Sequence, residues 1–512
     1  MRLSFALFTI LGTACTAPNP LGGGVCPDED PAPPPRPPPG GRARVAYVTT
    51  VNDLPQLWML DLDQPAADPV RLDAIGSGPG PLAPQWGPSL VGIWSPAGGE
   101  IAVRLGDTQF GPAALGVIDV AAPGIVRNVG AMARVSFFPW FEAGEGVWSP
   151  EGDRLVAADR TADTVWVVRT DGGGETRVAS DIGDPGDVSF SPDGRFVGIS
   201  ASDGTGGFHV TPADAEAPRE IARDSYWWGP AGSQVIGYLD EQHWEISDVG
   251  ADVREVVPAA AGSPPVFSSD GAWLLSPGPP LPELRRRGCG EPIALADAPR
   301  FVSEAKATAD GNHIVFTGVL AGGGVDSSSA WVADRVGDTW QARQLYAPST
   351  PMRRVDWPIV SQTGARVAWL LGGNSTDRFL VTHENVRDPA AVTAAGIVQP
   401  VVLGTYWFSP DLRRLAYLAG TAAAPTLRVL DIRDPSAPVL LGELAGPDGR
   451  PITWVTWSRT GNAFGYYVDE VPLEAPLVGD LYVVRVADGT LETPRLVGST
   501  RNQMQVSFHW EP

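Results

Sequence analysis

The sequence has a single lysine, at position 306, and few cysteines or histidines. Its 37 basic residues are outnumbered by 59 acidic ones, which gives a net charge of −22 at pH 7. A surface with this negative excess repels a phosphate backbone, so we expect no nucleic acid partner. Three cysteines and five scattered histidines are too few for a zinc centre. We therefore predict no metal site and no cofactor.

Long apolar runs and a convincing helical periodicity are also missing. The mostly apolar run near the N-terminus, residues 3–11, is too short to cross a bilayer. Arg2 precedes it and small residues follow it, which is typical of a secretory signal peptide over residues 1–14. The segment Gly12-Thr13-Ala14-Cys15 resembles a bacterial lipobox, and this resemblance implies lipidation of Cys15. Cleavage after Ala14 and secretion as a soluble protein is the alternative.

Residues 15–42 combine the predicted lipidation site with a Pro/Gly-rich spacer. Such a segment forms a semi-rigid polyproline stretch and packs no core. Anchor and spacer together predict a head in the cell envelope that faces the periplasm or the exterior, on an inner or an outer membrane. With Cys15 lipidated, Cys26 and Cys289 remain as an even pair that could form a disulfide in an oxidising compartment. Two free thiols are the alternative.

A short repeat runs through the rest of the chain. In ten places an aromatic or apolar residue at the end of a strand precedes a turn similar to Ser-Pro-Asp-Gly, and an apolar strand follows. The clearest copies contain Trp94-Ser95-Pro96, Trp148-Ser149-Pro150, Phe190-Ser191-Pro192 and Phe408-Ser409-Pro410; the weaker ones begin at Trp228, Phe267, Ala307, Val360, Trp457 and Phe508. We interpret the aromatic as packing between neighbouring repeats and the turn as local backbone chemistry.

The spacing of the repeat predicts the fold. If the residue after the aromatic is position 0, successive copies lie 38 to 54 residues apart, close to the ~40–45 residues of a four-stranded propeller blade. We therefore predict an all-β fold over residues 43–512, a β-propeller of about eight to ten four-stranded blades. The C-terminal strand is expected to pair with the N-terminal strands and close the ring. Two smaller propellers in tandem are the alternative.

These turns and strands resemble the TolB-type, WD-like propeller repeat over roughly residues 42–512. The resemblance implies the fold and is nonspecific for activity. TolB itself has a separate N-terminal α/β domain, for which this chain has no room. Related peptidases carry a hydrolase domain with a Gly-x-Ser-x-Gly nucleophile elbow, and the sequence has no such motif. We predict no catalytic residue.

Two sets of residues are candidates for binding. Propellers commonly bind ligands at the central funnel, through the loops and the first residues of the inner strands. Positions of this kind are held by Tyr226, Arg353, Arg354, Tyr406 and Thr453. They could contact a peptide or a sugar, or they could be the ordinary lining of a water-filled channel.

The second set lies in an insertion that departs from the regular pattern. It contains Phe137, Phe138, Trp140 and Phe141. Such an apolar loop could form an exposed partner-binding patch, or it could fold over its own blade.

Two functional hypotheses follow from these features. The first is a non-catalytic envelope lipoprotein whose propeller binds a protein or a glycan as a scaffold. The second is an enzyme with its active site in the funnel, of the lyase, lactonase or glycosidase type. That chemistry needs carboxylates or histidines that converge from several blades, which no local motif would reveal.

Overall fold

The computed structural model describes a large part of the chain. The described residues are 43–51, 54–64, 68–72, 93–106, 113–132, 135–136, 147–159, 162–183, 185–201, 207–222, 226–230, 232–240, 243–250, 253–258, 265–276, 282–286, 293–295, 299, 301–319, 328–337, 339–347, 355–371, 378–394, 397, 406–421, 424–469, 479–487, 489–500 and 508–510. Helix is confined there to short 3-10 turns such as Glu384–Val386 and Pro447–Gly449. In this part of the chain, no helix is long and apolar enough to cross a membrane.

Ten small antiparallel sheets form a ten-bladed propeller, which confirms the predicted fold class. Blade 1 contains β1 (Arg44–Val51), β2 (Leu54–Asp61), β3 (Val70–Arg71) and the last strand of the chain, β41 (Phe508–Trp510). Blade 2 contains β4 (Ile93–Trp94), β5 (Glu100–Gly106), β6 (Ala113–Asp119) and β7 (Val126–Met132); blade 3 contains β8 (Val135–Ser136), β9 (Arg154–Asp159), β10 (Thr164–Arg169) and β11 (Glu175–Ser180). Blade 4 contains β12 (Pro185–Phe190), β13 (Phe196–Ala201), β14 (Phe208–Pro212) and β15 (Arg219–Ala222); blade 5 contains β16 (Tyr226–Trp228), β17 (Gln234–Asp240), β18 (His243–Asp248) and β19 (Val253–Pro258).

The remaining blades follow the same order. Blade 6 contains β20 (Val266–Phe267), β21 (Trp273–Ser276), β22 (Glu283–Arg286) and β23 (Ile293–Ala294); blade 7 contains β24 (Phe301–Ala307), β25 (His313–Val319), β26 (Ser328–Val336) and β27 (Thr339–Tyr346). Blade 8 contains β28 (Val355–Val360), β29 (Val367–Leu371), β30 (Arg378–His383) and β31 (Arg387–Thr393); blade 9 contains β32 (Tyr406–Phe408), β33 (Arg414–Thr421), β34 (Ala424–Asp431) and β35 (Val439–Ala445). Blade 10 contains β36 (Ile452–Trp457), β37 (Ala463–Asp469), β38 (Gly479–Ala487), β39 (Thr490–Leu491) and β40 (Arg495–Thr500).

The apolar core consists of ten clusters, and each cluster fills the seam between two successive blades. Alternation along a strand explains this arrangement, because successive side chains point to opposite faces of the sheet. In β1, Val45 and Tyr47 pack against blade 10, whereas Ala46 packs against blade 2. Both faces of a blade are therefore buried at its inner strands, whereas outer strands such as β27 and β31 are largely exposed.

The seams also decide between one ring and two. Blades 1 to 10 are joined in chain order, and the cluster around Tyr47 and Tyr467 joins blade 10 back to blade 1. Two tandem rings would instead place closing seams inside the chain. The alternative of two smaller propellers is therefore wrong, and the ten blades form a single ring.

Pairing of the two chain ends closes the ring, as predicted. In the register of this pair, Val45 lies opposite Trp510 and Tyr47 lies opposite Phe508. In blade 2 the motif aromatic Trp94 lies opposite Ile101, the sixth residue after position 0. The equivalent aromatic of the terminal copy is thus Trp510, two residues later than the sequence interpretation that began this copy at Phe508.

Candidate functional site

In blades 2 to 10 the first strand is the innermost strand, and in blade 1 this place is held by β41. In blades 2 to 9 the first strand lies at one end of its sheet and pairs on one side only. First strands of neighbouring blades approach each other, as β20, β24 and β28 do in blades 6 to 8. The first strands therefore surround the axis, and we call the space they enclose the axial channel.

The two faces of the ring differ in their loops. On one face the motif turns join first and second strands with five residues in most blades, for example between Trp94 and Glu100 in blade 2. On the other face the first strands begin, after links as long as the one from Arg71 to Ile93. We call these the turn face and the mouth face. The constant turns suit a structural role and the variable loops suit recognition.

The motif hydroxyl at position 0 closes its own turn. In eight blades it accepts a hydrogen bond from the amide of position 5 at 2.9–3.1 Å. In four of them it also donates to the aspartate at position 2, as Ser409 does to Asp411 at 2.6 Å. These hydroxyls are at most 3% exposed. They are turn elements and are not placed to act as nucleophiles.

Successive turns are locked together by arginine at position 5. In four seams its guanidinium donates to the carbonyl oxygen of position 3 in the next blade; the pairs are Arg44 with Gly98, Arg154 with Gly194, Arg366 with Leu412 and Arg414 with Gly461. We call this contact between the arginine and the carbonyl oxygen of the next turn a latch. Sequence reasoning missed it. Its signal was the arginine five residues after Ser149, Ser361 and Ser409. The latches connect four pairs of neighbouring turns on the turn face.

The mouth half of the channel is less regular. Four first strands contain a register shift near their beginning, in blades 4, 7, 8 and 10. A β-bulge redirects side chains, and bulges are common beside functional sites. Thr453 occupies the bulge of blade 10, because the pairing passes from Ile452 directly to Trp454. The predicted residue Thr453 therefore lies where the channel lining is irregular.

Trp454, the next residue, is exposed to 44% on an innermost strand. The other tryptophans whose side chains the structure describes are buried or half-buried. Both faces of a blade pack against neighbours, so an exposed side chain on an innermost strand projects into the channel. Sequence reasoning missed Trp454, because Trp457 and Trp407 nearby have the same character and pack in the seam of blades 9 and 10.

Two charged residues belong to the same lining. Lys306 on β24 is exposed, and it is the one lysine or arginine on the innermost strands that the structure describes. Asp187 on β12 is half-buried, and desolvation by burial raises the pKa of its carboxyl group. The Asp187 amide donates to Ser200 Oγ at 2.8 Å, which fixes the backbone at this bulge.

The predicted funnel residues have different environments. Tyr406 packs between blades 8 and 9, with its ring 4.9 Å from Phe379 and 6.2 Å from Phe408. Tyr226 is the first residue of β16, and its side chain is outside the described part. Also outside the described residues are Cys15, Cys26, Cys289, Arg353, Arg354, Phe137, Phe138, Trp140 and Phe141. What the sequence predicts for these positions stays a prediction.

Potential metal ligands do not cluster among the residues that the structure describes: no three His, Cys, Asp or Glu side chains form a group that could hold an ion. The described carboxylates of the first strands, Asp187 and Glu304, lie in blades 4 and 7.

Comparison with known proteins finds structural neighbours of low sequence identity. No protein-family model and no curated protein matches the sequence. A eukaryotic initiation factor structure aligns over 92% of this chain and 99% of its own, at 10% identity and a TM-score of 0.49. The Cps50 (Swd1) β-propeller domain of Myceliophteria thermophila aligns over 53% of this chain and 84% of its own, at 13% identity and a TM-score of 0.29. A putative TolB from Agrobacterium tumefaciens aligns over 40% of this chain and 81% of its own, at 18% identity and a TM-score of 0.24.

The ten small antiparallel sheets define the class of protein as a β-propeller. TolB and WD-type propellers are among its structural neighbours. In particular, it is a single ring of ten blades. Identities of 10–18% carry no information on ligand or activity.

Proposed function

We propose that the protein is a lipid-anchored scaffold of the cell envelope that binds a protein or a glycan in its axial channel. The observation that carries the binding role is Trp454, a large aromatic side chain held open to solvent on an innermost strand. Tryptophan is enriched among residues that dominate binding energy, because it buries a large rigid surface at a small entropic cost. The signal-like segment, Cys15 and the spacer support the anchored location.

The binding role is tested by capture from solubilised envelopes with the full chain as bait. We expect Trp454→Ala to reduce the captured partner at least about fivefold, since a buried tryptophan anchor is typically worth 1–2 kcal/mol or more. Leu440→Ala is the matched control, because it removes an exposed apolar side chain from the outer strand of blade 9. Equal capture by wild type and Trp454→Ala would contradict a channel-bound partner.

The anchor is tested separately. Cys15→Ser is expected to abolish incorporation of radiolabelled palmitate and to move the protein from the membrane fraction to the soluble fraction. Cys26→Ser should leave both properties unchanged. Loss of the anchor without loss of binding would separate the location from the scaffold role.

A further inference from the structure

Lys306 and Trp454 are both exposed on innermost strands, in different blades. Lys306 lies at position −2 of blade 7 and Trp454 at position −4 of blade 10. Their positions along the innermost strands therefore differ by two residues, which is about 7 Å along a strand. A ligand that contacts both must be extended, since it has to cross three blade positions and shift along the axis.

The charge at Lys306 is available to a ligand. Its side chain is exposed, and it has no ion pair with a described side chain. By contrast, the arginines at position 5 donate hydrogen bonds to backbone carbonyl oxygens. Arg195 and Arg433, on the turn face, are paired with Asp193 and Asp431. On the first strands, therefore, an anionic group gains most by approaching Lys306.

The backbone of the first strands favours a peptide over a sugar as the extended ligand. Each of these strands in blades 2 to 9 pairs with one neighbour, so its other edge presents backbone N–H and C=O groups toward the axis. An extended peptide uses such groups for main-chain hydrogen bonds, while its alternate side chains enter side-chain contacts. Trp454 provides an apolar contact and Lys306 an ionic one.

We infer that the axial channel binds an extended acidic peptide segment of the partner, with a carboxylate paired to Lys306 and an apolar side chain packed on Trp454. This inference rests on the proposed function and specifies the chemistry of the ligand at the same site. It also gives the single lysine of an arginine-rich chain a definite role.

The test uses the full chain and a fluorescein-labelled decapeptide of alternating glutamate and leucine, measured by fluorescence anisotropy. The control peptide has glutamine in place of glutamate. We expect the glutamate peptide to bind about two- to fivefold more tightly, the range of an exposed ion pair. Lys306→Glu should abolish this preference, and Lys306→Arg should keep it. Trp454→Ala should weaken both peptides equally.

Equal affinity for the two peptides, or an unchanged preference in Lys306→Glu, would overturn the assignment of Lys306. Binding of polygalacturonate without binding of either peptide would replace the peptide by an acidic glycan. If neither peptide nor polygalacturonate binds while envelope capture still depends on Trp454, the ligand chemistry is wrong and the scaffold function stands. If capture is also independent of Trp454, both proposals fail.

Discussion

The guanidinium of Arg154 in blade 3 donates to the carbonyl oxygen of Gly194 in blade 4 at 3.0 Å. Arg414 and Gly461 make the equivalent contact between blades 9 and 10 at 2.6 Å. One arginine thus connects two repeats by satisfying a turn carbonyl that would otherwise face a buried seam. The propeller is held together by apolar seams and, on the turn face, by these charge-assisted hydrogen bonds.

Arg366 is the most buried of the latches, at 1% exposure, and it donates to the carbonyl oxygens of Thr382, Leu412 and Ile432. Its replacement by methionine leaves these acceptors unsatisfied, so we expect a loss of about 3 kcal/mol or more in the free energy of unfolding. Arg387→Met, an exposed change in the same blade, should cost less than about 0.5 kcal/mol. Urea unfolding followed by circular dichroism measures both; similar midpoints would rule out the latch as a stabilising element.

Ser409 is tested in the same way. Ser409→Ala leaves the Arg414 amide without its acceptor, which is 2.9 Å away in the wild type. We expect a destabilisation of about 1–2 kcal/mol, the usual cost of an unsatisfied buried donor. Ser436→Ala, at an exposed position of the same blade, should change the unfolding midpoint little. Equal effects of the two substitutions would argue against a turn-closing role for the hydroxyl.

Alanine substitutions at Gly364 and Gly172 distinguish the effect of backbone strain on stability from the effect of packing. Both have positive φ, +70° and +78°. A Cβ at Gly364 would lie 2.5 Å from the backbone nitrogen of Ala309 in the preceding turn, whereas a Cβ at Gly172 would meet nothing within 4 Å. Gly364→Ala should therefore be more destabilising than Gly172→Ala by about 1–3 kcal/mol, the range for overpacking. Thermal unfolding of the two variants measures the difference, and a smaller loss for Gly364→Ala would show that the turns do not stack.

Asp187 and Asp193 should respond oppositely to pH. Burial raises the folded pKa of Asp187 above its unfolded value, so its ionised form opposes folding at neutral pH. Asp187→Asn is expected to stabilise the protein at pH 7, with a gain that shrinks as pH falls through the folded and then the unfolded pKa. Burial opposes the ionised form of Asp193, but hydrogen bonds from Ser191 and Arg195 outweigh it and lower the pKa. Its stabilisation is present above the unfolded pKa, about 3.9, and is lost as pH falls through the folded one.

Unfolding midpoints of Asp187→Asn and Asp193→Asn between pH 3 and 7 test these signs. Asp193→Asn should destabilise at pH 7 and approach the wild type in acid. If Asp187→Asn were destabilising at pH 7, the carboxylate would be a structural group and not an unpaired element of the channel lining.

The sequence predicted the fold well because its repeat is local. Turn chemistry and alternation determine each blade, and residues 44–61 with the C-terminal strand indicated the closure. The single ring could not be derived, since the number of strands is the same in one ring or two. The channel lining could not be predicted from the sequence either, because Trp454 and Trp457 differ only in whether a neighbouring blade covers them. That difference depends on bulges and on residues of other repeats.

Blade 1 is completed by β41, so its innermost strand is synthesised after the strands of the other nine blades. Until β41 pairs with β1 the ring stays open, and the faces of blades 1 and 10 that meet in the closed ring are uncovered. Bringing together strands separated by about 460 residues costs roughly 5 kcal/mol of chain entropy, unless the other blades have already stacked. We therefore expect the blades to stack first and the ring to close last. In a chain that is stalled or cleaved shortly before Phe508, the uncovered faces and strand edges of blades 1 and 10 would associate with other copies of the chain.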